Sequence, residues 1–226
     1  MKLIMEKWKK FVNETNSAES DSTAEPFPEE ISQTYDTTHI DTAMAEMDKF
    51  NNGRLKEQHR KAWKIIAKYW KHAKKPLYAA AVLRGAYARP NSFMSKQGAW
   101  SSAFVQYCMK NNKEFQKLRH CKYLGRHSCY WKAAKKNTLK IKLGQEIPEN
   151  DWIFLSMREA EKIEYTPQPG DLTFIVFGSG LHGDIVTPRG SVGGNLADTV
   201  KVNSGKKVAL MTQDKKVKIK LSESQS

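Results

Sequence analysis

The stretch Gly98-Ala99-Trp100-Ser101-Ser102-Ala103-Phe104-Val105 joins a glycine break to a run with helical spacing, in which Trp100, Phe104 and Tyr107 recur at intervals of four and three residues. A helix from Trp100 to about Lys110 is expected, with these aromatics packed into the core. Ser101 then stands at its first turn. Serine is favoured there as a cap that bonds the helix's own free N–H groups. The local reading leaves two roles open: a hydroxyl spent on capping, or a hydroxyl presented to a cleft.

Upstream of this stretch the pattern is helical. Leu55, His59, Ala62, Trp63, Ile66, Tyr69 and Trp70 lie three or four apart, so a Trp-rich stripe packs inward while Lys61, Lys64, Lys68 and Lys71 face water. Lys75-Pro76 ends that helix, and Ala79 to Leu83 reads as a further helical turn. Downstream of residue 137 the texture changes to short β-prone runs bounded by turn residues. Leu172 to Phe177 follows Pro169-Gly170-Asp171, and Gly183 to Thr187 is halted by Pro188-Arg189-Gly190. Thr199 to Val202, Lys207 to Met211 and Lys216 to Leu221 are further candidate strands. Helices followed by an antiparallel meander give an α+β domain.

Residues 1–14 place Leu3, Ile4, Trp8, Phe11 and Val12 at near-helical spacing and read as an amphipathic peptide. Residues 15–38 are rich in Ser, Thr, Glu, Asp and Pro and poor in aliphatics, a composition that cannot offset chain entropy and reads as a disordered acidic linker. The folded domain is therefore expected over 39–222. Charge follows the same division. Residues 1–50 carry five Lys against eleven Asp or Glu, whereas residues 54–142 carry twenty-three Lys or Arg against Glu57 and Glu114 alone. Such a basic stretch attracts a polyanion, be it nucleic acid, an anionic bilayer or an anionic cell wall. No zinc-finger spacing or aromatic RNA-binding strand accompanies it, so nucleic acid is not favoured.

Three cysteines in 226 residues are no disulfide framework and suggest a reducing compartment, at least during synthesis. Leu3-Ile4-Met5 is too short for the core of a signal peptide, and nowhere do eighteen apolar residues run together. The expectation is synthesis in the cytoplasm, no stable membrane insertion, and another route if the protein acts outside. His120, Cys121, His127 and Cys129 are the one cluster suggestive of zinc, but their spacing matches no standard finger or ribbon, so no metal is expected.

Four segments fall in a telling order: Trp100-Ser101-Ser102-Ala103-Phe104-Val105, then Pro167-Gln168-Pro169-Gly170-Asp171-Leu172, then His182-Gly183-Asp184-Ile185-Val186, then Gly193-Gly194-Asn195. Together they resemble the papain-like NlpC and CHAP superfamily of peptidoglycan hydrolases, in which a Trp-Cys-Ala-Ala-Phe-Val segment opens the nucleophile helix. Here a serine stands in place of the cysteine. The chain looks nearest to a bacterial and phage branch with Trp-Ser-Ala-Ala-Phe at the first motif and a His-Ser-x-Tyr segment, matched by His127-Ser128-Cys129-Tyr130. The resemblance covers roughly residues 54–205.

It implies a papain-like fold with N-terminal helices packed on an antiparallel sheet, and a site of Ser101 as nucleophile, His182 as base and Asn195 as orienter, without a cofactor. Asp184, two residues from His182 on a strand, points to the same face and is placed to tune it. His127, Tyr130 and Trp100 are supporting residues. Cys108 lies about 10 Å further along the helix axis and cannot replace Ser101. A thiol can start as a thiolate beside a protonated histidine, whereas a hydroxyl must lose its proton to the base during attack. The implied activity is hydrolysis of acyl or peptide bonds in peptidoglycan or another anionic wall polymer. The alternative is a wall-binding or virion protein that keeps the cleft without turnover. Residues 1–14 resemble short N-terminal peptides of tailed-phage proteins, which implies phage particle proteins as partners, with a virion or the cell wall as destination.

Overall fold

The computed structural model describes residues 37–89, 99–119, 126–177 and 180–224. The expected N-terminal peptide, nearly all of the linker, and His120 and Cys121 lie outside them. Residues Asp36–Ser226 form one unit. It begins with helix α1 (Thr38–Lys49), which buries Ile40, Ala43, Glu46 and Met47 along one side. Helix α2 (Arg60–His72) follows, its first turn capped by the His59 side chain, which accepts from Lys61 N–H. As its spacing predicts, Ala62, Ile66, Tyr69 and Trp70 are buried while Lys61, Lys64, Lys68 and Lys71 are exposed. Helix α3 (Pro76–Leu83) starts on a proline, whose missing N–H costs nothing at that position. Helix α4 (Ser101–Cys108), the short α5 (Lys113–Lys117) and α6 (Ser128–Lys142) complete the helical half.

The second half is a six-stranded antiparallel sheet in the order β1-β6-β2-β3-β4-β5. Its strands are β1 (Ile153–Ser156), β2 (Leu172–Phe177), β3 (Gly180–Thr187), β4 (Gly190–Gly194), β5 (Val200–Val202) and β6 (Ala209–Thr212). Helix α7 (Met157–Lys162), held by a Ser156–Glu159 capping box, follows β1. Helix α8 (Lys215–Glu223) ends the described chain. The α+β class and the antiparallel sheet are as expected.

Alternate residues of β6 enter different cores. Ala209 and Met211 join Trp100, Phe104, Leu172, Phe174 and Ile185, while Leu210 joins Ile153, Leu155, Val217 and Leu221.

One local reading is corrected. Lys216 to Leu221 alternates like a strand but is helical in α8. The Asp214 side chain accepts from the N–H groups of Lys216 and Val217, and Val217 and Leu221, four apart, fill the second core while Ile219 stays exposed. Gly190 to Gly194, which carries the Gly193-Gly194 motif, forms strand β4, paired with β3 through Ile185↔Val192.

Helix α4 packs on α2 and on β3 and β4. Trp100 and Phe104, both fully buried, sit among Phe50 and Tyr69, with ring centroids 5.7–5.8 Å apart. The helix can come this close because β4 presents no side chain to it at Gly194. A Cβ there would lie 2.6 Å from Phe104 and 2.8 Å from Trp100. Gly194→Ala is therefore expected to lower stability by about 1–3 kcal/mol, the usual cost of overpacking a core. Urea unfolding checks this, and an unchanged midpoint would show that the helix gives way freely.

Candidate active site

Ser101 is the first residue of α4, and the N-cap is Trp100, which makes no side-chain capping bond. The Ser101 hydroxyl is thus not spent on the helix end. Its Oγ lies 2.8 Å from His127 Nε2. His127 is the N-cap of α6, and its Nδ1 is hydrogen-bonded to the Tyr130 hydroxyl one turn along. Gly183 makes room for the ring, since a Cβ at that position would lie 2.9 Å from Nδ1. The Gly183 N–H also donates to Nε2 at 3.4 Å. Burial, followed by the neighbouring His182, pushes the His127 pKa well below the usual imidazole range. The ring is neutral at ordinary pH and able to accept a proton.

His182 lies beside this pair, its ring centroid 5.6 Å from that of His127. Its Nε2 is 3.1 Å from Asp184 Oδ1, as the two-residue strand spacing predicts. Asp184 is fully buried, and its other oxygen accepts from Lys207 Nζ at 2.9 Å and Asn203 Nδ2 at 2.7 Å. A buried carboxyl group needs such partners to satisfy its oxygens.

Two expected roles change. The histidine on Ser101 is His127, whereas His182 is turned to Asp184. Asn195 does not orient His182. Continuing the β3–β4 register would set residue 195 opposite His182, but that pairing ends at Ile185↔Val192, β4 itself ends at Gly194, and Asn195 has φ +60. Among the described residues its side chain makes no hydrogen bond to His182. The structure therefore brings together Ser101, His127, Tyr130, His182 and Asp184, and leaves Asn195 in a turn.

Cys108 is buried, and that burial pushes its thiol well above the usual range, so it is no substitute nucleophile. Cys129 is disulfide-bonded. Among the described residues no group of three His, Cys, Asp or Glu is arranged to hold a metal ion, and no helix is long and apolar enough to cross a membrane.

Glu57 is the residue whose part sequence reasoning missed. Its Oε2 accepts from Trp100 Nε1 at 2.6 Å, its carbonyl accepts from Trp63 Nε1 at 3.0 Å, and its N–H donates to Asp198 O at 2.8 Å. It fixes the residue that precedes Ser101. The signal was present in the charge pattern, where Glu57 is one of only two acids among twenty-three bases.

Comparison with known proteins finds no family model, no curated protein and no solved structure that matches the chain.

Burial raises the Glu57 pKa to about 7, outweighing the Trp100 hydrogen bond that lowers it. A carboxyl that binds its proton more tightly when folded contributes stability that is complete below about pH 4.3, its unfolded value, and is lost as pH rises through 7. Glu57→Gln cannot ionise and keeps an oxygen for Trp100. The gap in stability between wild type and this variant should shift by about 3 kcal/mol in the variant's favour between pH 4 and pH 8. Denaturant titrations at several pH values measure it, and parallel pH profiles would contradict the assignment.

Proposed function

We propose that this chain is a serine hydrolase of papain-like arrangement acting on acyl or peptide bonds of cell-wall peptidoglycan. The observation that carries the reading is the Ser101 Oγ to His127 Nε2 contact at the first turn of α4. In the proposed reaction Oγ attacks the carbonyl carbon as its proton passes to Nε2. The free N–H groups of the first helical turn face the developing oxyanion. The His127 proton then goes to the leaving amine, and water releases the acyl group by the reverse path. The motif order supports peptidoglycan as the substrate class, and the exposed lysines of α2 support an anionic polymer.

A second reading, a wall-binding or virion protein without turnover, is favoured by two observations. Ser101 and His127 are only 6 % and 8 % exposed, and the orienting group on His127 is a phenol rather than a carboxylate.

Release of soluble fragments from purified peptidoglycan separates the two. The hydrolase reading expects release by the wild type, with Ser101→Ala and His127→Ala each reduced by about 10³-fold or more, as for members of such a unit. Wall binding with no product from the wild type supports the second reading. Equal release by all three proteins contradicts the hydrolase site.

A further inference from the structure

Helix α6 has an inner and an outer side. Tyr130, Ala134, Thr138 and Ile141 are buried along the inner one, where the Thr138 hydroxyl bonds to Phe154 O at 2.7 Å on edge strand β1. The outer side is exposed. At 3.6 residues per turn, Lys132, Lys136, Leu139 and Leu143 fall within about 60° of one another around the axis, with Lys135 and Lys140 on the two flanks. All six side chains face water, Leu139 at 56 % and Leu143 at 65 % exposure.

Two properties set this face apart from an ordinary solvated one. The helix contains no Asp or Glu, and among the described residues none of Lys132, Lys135, Lys136 and Lys140 is in an ion pair; Lys142, paired with Glu159, is not one of the set. Its two leucines lie four residues apart, so they form one continuous apolar spot inside a ring of positive charge.

The lysines alone suit any polyanion. The leucines gain only from an apolar phase, and a nucleic-acid backbone or a wall polymer offers anionic groups without an aliphatic layer beneath them. An anionic bilayer supplies both, with headgroup phosphates for the ammonium groups and acyl chains just below for the leucines. Lysine fits that depth, because its aliphatic stem follows apolar surface while its charge stays among the headgroups. A second copy of this chain fits poorly. A two-fold contact would set these lysines against their own equivalents.

We propose that the outer face of α6, with Leu139 and Leu143 set among Lys132, Lys135, Lys136 and Lys140, is a docking surface for an anionic phospholipid bilayer. The contact is peripheral, with the helix lying along the interface, since no helix among the described residues is long and apolar enough to cross. It goes beyond the hydrolase reading and does not rest on it. Ser101 and His127 take no part, and the leucines sit near the end of α6 opposite His127.

Flotation of the full-length protein with phosphatidylcholine vesicles, with and without phosphatidylglycerol, tests the proposal. The wild type should float only when phosphatidylglycerol is present. Leu139→Gln/Leu143→Gln should weaken binding about tenfold or more, because the apolar area is lost, while Leu139→Phe/Leu143→Phe should retain it. Lys135→Gln/Lys136→Gln/Lys140→Gln should weaken it about a hundredfold, roughly fivefold for each charge. The same loss of charge on α2, in Lys61→Gln/Lys64→Gln/Lys68→Gln, should cost less. Equal urea midpoints, expected at exposed positions, separate these losses from unfolding.

No flotation with phosphatidylglycerol overturns the proposal, including the case in which the protein binds duplex DNA or purified wall instead. Flotation undiminished in Leu139→Gln/Leu143→Gln also overturns it, since the contact then lies in residues 1–14 or in charge alone. So does a loss on α2 equal to that on α6.

Discussion

The structure depends on how closely the sheet approaches helix α4. At Gly194 the β4 backbone rests against Trp100 and Phe104, and at Gly183 the β3 backbone rests against the His127 ring. Neither position has space for a methyl group. These two contacts set the first turn of α4 and the start of α6 against neighbouring strands, so that Ser101 and His127, 26 residues apart, meet at 2.8 Å. Gly193 repeats the arrangement for Asp184, whose Oδ1 occupies the space that a Cβ would need.

Electrostatics then divides the two histidines. His182 shares a strand face with Asp184, which Lys207 and Asn203 hold in a fully buried site. His127 faces a serine, a phenol and a backbone amide, all uncharged, and burial keeps it neutral. For a cysteine nucleophile a protonated partner would be useful. For a serine, a neutral base with an available lone pair is what proton removal requires. The oxygen at position 101 and the uncharged setting of His127 therefore agree with each other.

Much of this was legible in the sequence. The lysine stripe and tryptophan-rich face of α2, the strands β2 and β3, the start of α4 and the pairing of His182 with Asp184 all follow from local periodicity. Which histidine meets Ser101 did not, because His127 and His182 both lie within reach in motif order, and only the register and the missing side chain at Gly183 choose between them. Asn195 misled for a related reason. Ladder arithmetic sets it opposite His182, but β4 stops pairing with β3 after Val192 and ends at Gly194, before the positive φ of Asn195. Lys216 to Leu221 fits both a period of two and an i, i+4 pair, and the Asp214 cap decides for helix.

The central claim is that the Ser101 hydroxyl is activated by His127. A fluorophosphonate probe, which forms a covalent adduct only with an activated serine, tests it most directly when the labelled peptide is identified by mass spectrometry. The account predicts an adduct on Ser101 in the folded wild type, lost in His127→Ala and retained in Asn195→Ala. An unlabelled Ser101 in the folded wild type, or labelling that persists undiminished without His127, would contradict it.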